Sequence, residues 1–428
     1  MTRKEFLASL GTLSLGLGLF PWLQSCTPAK VSLTRGEKAR LGIIGTGSRG
    51  RFHLANLLVE TRAEVVALCD DYLPHLDEAS AMCPSARRYT DYRQLLEDAD
   101  VDGVIICTPL HLHACMTLDA FSAGKHVFCE KALTWSTEEL KEVYSAWKRG
   151  SQVLMSGQQR LYDPKYIKAM ELVRGGAIGQ VVGIRNYWFR NNDWRRPVPS
   201  SAEERRINWR LYKEYSRGLM TELACHQLQN GSWALGGLRP ESVIGSGSLM
   251  YWKDGRDVFD NVAAIYRYPN GIHMTFESII SNKHFGLGEQ ILGTGGTIDL
   301  VRGIMYSEAP VKRSGLRQLL DQIETGVLSN ASFAGSSWVT EDGSHDKGIR
   351  FAENVVVNDG ASTVGALADG SVELIQAFCQ AVITGEQPKD IVEESCWSTL
   401  LSLLGDRATR EGNRVDIPAS LVDVPNIL

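Results

Sequence analysis

The sequence predicts an α/β protein: a doubly wound parallel sheet, then an α+β half built on an open-faced, mostly antiparallel sheet. Three observations predict it. An apolar run, Ala39 to Ile44, enters the glycine turn Gly45-Thr46-Gly47-Ser48-Arg49-Gly50 directly before an amphipathic stretch from Arg51 to Leu58. Strand-like and helix-like segments then alternate as far as Arg149, the rhythm of parallel strands joined by crossover helices. From Val181 onward the β-rich segments come closer together, with Pro269-Asn270-Gly271 as a turn between two of them.

Length and composition set the frame for these elements. A chain of 428 residues suits two or three domains, and 43% hydrophobic with 22% charged residues is enough for a packed core. Forty-five basic against 50 acidic residues give a net charge of −5, which leaves no electrostatic footprint for nucleic acid. The nine cysteines contain no CxxC, so neither a zinc ribbon nor a redox dithiol is written here, and no metal is expected.

Residues 1–26 read as an export signal: a short basic start, an apolar stretch from Phe6 to Leu23, then Leu23-Gln24-Ser25-Cys26. The ending resembles a bacterial lipobox, which would make Cys26 a lipid-carrying N-terminus. Thr2-Arg3-Lys4-Glu5-Phe6-Leu7 resembles a twin-arginine signal with Lys4 in place of the second arginine. An uncleaved spanning helix is the alternative, opposed by Gly11, Gly16, Gly18 and Pro21. Together these features predict an exported periplasmic or envelope lipoprotein, with residues 27–38 as a tether.

The first domain is expected over 39–158. Gly45 permits the tight turn, Gly47 lets backbone approach a pyrophosphate, and Gly50 lets helix and strand pack closely, with Ser48 and Arg49 between them. Glu64 to Leu68 forms a second strand. Asp70 follows it, 25 positions after Gly45, where a carboxylate reaches adenosine ribose hydroxyls; with Asp71 beside it, NAD is favoured over NADP. Tyr89 to Leu96, the strand Asp102 to Cys107, the helix Ala114 to Ala123, the strand His126 to Cys129 and the helix Thr137 to Arg149 continue the pattern. Two strand ends carry chemistry: Thr108-Pro109-Leu110-His111-Leu112-His113, and Cys129-Glu130-Lys131-Ala132.

GTGSRG followed by ICTPLHLHACMTLDAFSAGKHVFCEKAL resembles the glucose-fructose oxidoreductase, inositol dehydrogenase and MocA family, and with downstream features the likeness covers roughly residues 39–310. The resemblance implies a Rossmann domain, an open-faced second domain and NAD(P)-dependent chemistry on sugars or cyclitols. It makes Lys131 the catalytic lysine, and sets Thr108, Pro109 and His113, with Glu130 beside them, against the nicotinamide half of the cofactor.

The second half, 159–428, is expected to hold the substrate and the oligomer surface. Gln152 to Gln159 reads as a strand, and Arg160-Leu161-Tyr162-Asp163-Pro164 matches the family's crossing point between domains, placing Arg160 and Tyr162 near substrate. Strands are expected at Val181 to Arg190, Ser242 to Met250, Asn261 to Tyr268 and Ile272 to Ile280, their open face serving as a dimer surface. Glu222 and His226 lie four apart after Thr221, a potential cap, so on a helix both would face one side of the cleft. The family pattern is DxGxH with a later acid; this chain has Glu222, Ala224 and Gln229 instead, and Ala132 replaces a usual proline. His226 remains as acid or base, with Glu222 as its orienter. The segment Arg190 to Tyr212, with Trp194, Trp209, Arg195, Arg196 and Arg210, either faces substrate or packs in an oligomer. Residues 326–370 read as a loop-like insertion, and helices are expected at Val372 to Ile383 and Glu393 to Arg410.

Two enzymatic readings follow from the resemblance. One is an NAD-dependent sugar or glycoside oxidoreductase, with a tightly held cofactor suited to export and either Lys131 or His226 as base. The other is a glycosidase of the family 109 type, which oxidises C3, eliminates the aglycone, adds water and reduces back. A non-catalytic sugar-binding protein is a third, opposed by the intact glycines, Lys131 and His226.

Overall fold

The computed structural model describes residues 37–308, 349–352 and 369–424. The expected export signal with Cys26, the expected tether up to residue 36 and most of the expected 326–370 insertion lie outside them. From Lys38 onward the chain forms one compact unit.

A six-stranded parallel sheet comes first, in the order β3-β2-β1-β4-β5-β6. Its strands are β1 Ala39–Ile44, β2 Ala63–Cys69, β3 Arg87–Tyr89, β4 Gly103–Ile106, β5 His126–Cys129 and β6 Leu154–Ser156. The helices α1 Ser48–Val59, α2 Leu73–Met82, α3 Tyr92–Leu96, α4 His113–Ser122 and α5 Thr137–Arg149 lie between them. Burial dictates this form: β4 is buried at every residue and β1 at all but one, as strands covered on both faces require. The strand order reverses beside β1, so the ends of β1 and β4 open a crevice. Segment Tyr89 to Leu96 is two elements, β3 and α3, divided by Asp91, whose side chain accepts from Arg93 N. The α1 helix also starts three residues earlier than Arg51, at Ser48, so it begins inside the glycine turn.

The second sheet has nine strands among the described residues, in the order β14-β13-β12-β11-β7-β10-β9-β8-β15. They are β7 Val181–Phe189, β8 Ser242–Ser248, β9 Asn261–Arg267, β10 His273–Ile279, β11 Leu287–Gly293, β12 Gly296–Asp299, β13 Ile304–Ser307, β14 Ile349–Arg350 and β15 Arg414–Asp416. All pairs are antiparallel except β7 with β10. Helices α6 Pro164–Arg174, the short α7 Glu204–Ile207, α8 Cys225–Ala234, α9 Ser371–Thr384 and α10 Ile391–Glu411 complete the chain. The inward residues of β9 and β10, among them Tyr266, Met274 and Phe276, are fully buried, while Ile265 and Arg267 alternate outward.

Both halves are fastened by α10. Its Thr399 Oγ1 accepts from Leu133 N at 3.0 Å and its Ser398 Oγ from Gln158 Nε2 at 2.8 Å, both beside the parallel sheet. Its Leu401 carbonyl accepts from the buried Tyr266 hydroxyl of β9 at 2.7 Å.

The glycine turn is a packing constraint as well as a shape. Gly45 takes φ +88, and a Cβ on Gly50 would stand 2.0 Å from the Gly45 carbonyl oxygen, a backbone atom that cannot swing aside. We predict that Gly50→Ala lowers unfolding stability by about 1–3 kcal/mol, the cost of overpacking. Urea denaturation beside the unsubstituted protein checks this; equal midpoints would show the turn to be pliable.

Candidate active site

The crevice at the strand ends is a cleft of about 870 Å³. Gly45, Gly47, Ser48 and Arg49 of the turn line it, together with Asp70 and Asp71 after β2 and Thr108 and Pro109 after β4. A Cβ at Gly47 would meet only the His75 ring, at 3.7 Å, so the turn leaves room above the start of α1. That start has no side-chain cap and no acid in its first turn, so its backbone N–H groups remain open for an anion. The Asp70 carboxylate accepts from Thr46 N at 2.7 Å and Tyr72 N at 2.9 Å. Burial opposes its charge, but these bonds and His75 hold its pKa below the ordinary aspartate value. These features fit a dinucleotide: an anion-receiving turn, an ionised acid beyond β2 and one cleft that both line.

Glu130 does not face the cleft. Its Oε1 accepts from Arg49 Nε at 2.6 Å and from the buried His53 Nε2 at 2.7 Å, and its Oε2 accepts from Lys131 N at 3.2 Å. Burial works against the charge, yet Arg49 and His53 keep the carboxyl well below the usual carboxylate range. Glu130 thus ties α1 to the end of β5 and fixes the backbone of Lys131. His113 is also inward: Nδ1 lies 2.7 Å from Ala132 O and Nε2 3.0 Å from Thr108 O. It pins together the loops that follow β4 and β5.

Lys131 reaches across to the second half. Its Nζ donates to the Glu222 carbonyl at 2.6 Å and lies 3.9 Å from Glu222 Oε2. Glu222 does not orient His226. Residues Met220–Ala224 form a π-helical turn, which breaks the four-residue α spacing, and Thr221 donates back to Gly218 O instead of capping. The Glu222 carboxylate accepts from Arg210 Nε at 3.0 Å and Ser216 Oγ at 3.0 Å. Burial resists its ionisation, while Arg210 and Lys131 keep it below the ordinary glutamate value. His226 is buried with Nδ1 unpartnered. Burial, then the Arg160 and Lys131 charges, push its pKa well below the usual histidine value, so the ring is neutral near pH 7.

The expected substrate residues scatter. Arg160 is buried, 2.6 Å from Glu289 Oε1, and Glu289 also accepts from Tyr166 OH and Asn230 Nδ2, each at 2.9 Å. Tyr162 sits on the adjoining 3-10 turn, its pKa pushed up to about 12 by burial. Neither lines the cleft, nor does Trp194, which holds a left-handed backbone (φ 59). Trp209 does line it, with the Arg210 guanidinium 4.1 Å above its ring. The segment containing Arg196, Arg206 and Trp209 therefore walls the dinucleotide cleft. Arg206 Nη2 lies 3.6 Å from Asp71 Oδ2, a contact between halves.

Two family models match in tandem: "Oxidoreductase family, NAD-binding Rossmann fold" over residues 39–158 and "GFO/IDH/MocA C-terminal domain" over 166–299. The chain belongs to the GFO/IDH/MocA family of oxidoreductases. Its first domain is accordingly an NAD-binding Rossmann domain. Myo-inositol 2-dehydrogenase of Thermotoga maritima is 27% identical over 235 residues, 54% of this chain and 66% of that protein. A glycosyl hydrolase family 109 protein of Stenotrophomonas maltophilia is 30% identical over 222 residues, 47% of each. The chain spans about half the length of the curated relatives it matches. Among solved structures, levoglucosan dehydrogenase in complex with NADH and levoglucosan shares the fold with a TM-score of 0.66 at 20% identity, over 89% of this chain and 100% of that one.

The inward Arg160–Glu289 pair gives a direct test. Glu289→Ala leaves a buried cation without its counterion, and we predict a loss of about 3–5 kcal/mol. Glu171→Ala, which breaks the exposed pair with Lys168, should cost less than about 1 kcal/mol. Chemical denaturation of both variants checks the ranking.

Proposed function

We propose that this protein is an NAD-dependent oxidoreductase acting on a secondary hydroxyl of a sugar or glycoside, with C3 as the reacting carbon. The observation that carries the reading is the junction where Lys131, at the end of β5, meets the π-helical turn leading to His226. NAD, when bound, supplies the hydride acceptor. One Lys131 N–H is spent on the Glu222 carbonyl, which leaves two for a substrate oxygen. Its positive charge stabilises the oxygen as the hydroxyl proton leaves, and a neutral His226 has a free lone pair to receive that proton. Glu222 balances Lys131 and Arg210 and keeps the ammonium in place.

The glycosidase reading shares these residues and is supported by the resemblance to the Stenotrophomonas family 109 protein. Release of free sugar from a glycoside without net NADH absorbance would select it; accumulating NADH selects the dehydrogenase.

We further propose export and anchoring at Cys26, with folding before translocation. The eight cysteines among the described residues are all unpaired and six are buried, which supports folding in a reducing compartment. Exposed Ile244 and Ile265, paired across β8 and β9 on the outer face, support a homo-oligomer through that sheet.

Lys131→Ala and His226→Ala should each lower turnover roughly 10²- to 10⁴-fold while NAD binding persists. Unchanged turnover in His226→Ala would place the proton transfer elsewhere. Because the His226 pKa is lowered, the base stays neutral as pH falls through the ordinary histidine range; the acid limb of kcat/KM is therefore expected below about pH 6.5. Loss of activity centred at or above that pH would contradict the assignment. In the cleft, Asp70→Ala should weaken NAD and relax discrimination against NADP, read by titration with each dinucleotide.

A further inference from the structure

The wall of the cleft contains a charge that no carboxylate among the described residues pairs with. Arginines 49, 93, 205, 206 and 210 line the cleft, and each has a carboxylate within 4 Å: Glu130, Asp91, Glu214, Asp71 and Glu222 respectively. Arg196 lines the same cleft and has no such partner among the described residues. Its Nη2 donates to Ser48 Oγ at 3.2 Å, which sets the guanidinium over the first residue of α1. Two like-charged groups, Arg210 and Arg51, act on it, and the helix end beneath it is itself positive.

The backbone that carries this exposed side chain is held firmly. Asn208, nearly fully buried, brackets the Arg196 peptide: its Oδ1 accepts from Arg196 N at 2.7 Å and its Nδ2 donates to Arg196 O at 3.0 Å. The preceding Arg195 is fixed by Asp254 at 3.1 Å and by Glu204. Trp194 turns through the left-handed region, a conformation that a bulky residue keeps only when its surroundings impose it. A cation on an anchored stretch of backbone, reaching over an uncapped helix start with no carboxylate partner among the described residues, is the complement of an anion bound between them.

We propose that Arg196 is a ligand of the dinucleotide pyrophosphate, delivered by the second half of the chain to close the cleft from the side opposite the glycine turn. The proposal rests on the NAD reading above and adds a residue to it. The pyrophosphate is then gripped by backbone N–H groups below and a guanidinium above, and release requires the segment carrying Arg196 to lift. Such a clasp slows the departure of the cofactor, as an exported enzyme without free NAD requires.

The test uses the full chain, its Arg196→Gln and Arg196→Lys variants, and two probes, ADP and adenosine, alongside NAD. Loss of a charged hydrogen bond should weaken NAD and ADP roughly 10- to 100-fold in Arg196→Gln, with a matching rise in NAD release rate and a smaller effect in Arg196→Lys. Adenosine, which lacks phosphate, should bind all forms alike. NAD and ADP binding by Arg196→Gln as tight as in the unsubstituted protein would overturn the Arg196 assignment and leave the NAD reading standing; so would an equal loss of adenosine. Failure of the unsubstituted protein to bind NAD or ADP would instead overturn the NAD reading itself.

Discussion

The contact between Lys131 and Glu222 is the constraint around which the two halves are arranged. A lysine at the end of a parallel strand has to keep its charge where water is scarce, and a carboxylate from the other half has to be present for that to cost little. Glu222 answers with two further donors, Arg210 and Ser216, so its charge is shared and the cleft wall is drawn in with it. On the other side, Glu130 holds the Lys131 backbone and the first helix at once. The two glutamates act in series: one sets where the lysine starts, the other where it ends.

Much of this was legible in the sequence where the determinants are local. Strand β5 and helix α5 have the bounds that their residues indicate, because β5 is one apolar run after the Gly124 turn and α5 opens on a Ser136–Glu139 capping box. Helix α2 went unread: only Leu76 and Ala79 are buried on it, too little for a periodic signal. The partners of the active residues were out of reach for a different reason. Glu289 is an isolated acid in a strand, and Tyr166 and Asn230, which bond to it, lie 123 and 59 positions away. Spacing on one helix suggested that Glu222 serves His226, but the π-helical turn sends its carboxylate toward residues upstream.

The arginine-rich segment shows how composition misleads about direction. Trp209 and the arginines near it have the side chains of a sugar site, yet the wall that Arg196, Arg205, Arg206, Trp209 and Arg210 build belongs to the dinucleotide cleft, and most of its charges are neutralised by neighbours. What separates a binding arginine from a structural one is the missing counterion, and that can only be seen once the chain has been folded.

Helix α10 carries a consequence for how the molecule is made. It accepts hydrogen bonds from Leu133 and Gln158 of the first half and from Tyr266 of the second, yet it follows all three in the chain. On the ribosome, the parallel sheet and the glycine turn emerge hundreds of residues before their fastening does. The nascent chain thus carries a cofactor-receiving crevice long before its two halves can be locked, and release of the C-terminal region, rather than formation of either sheet, is the event that completes the enzyme.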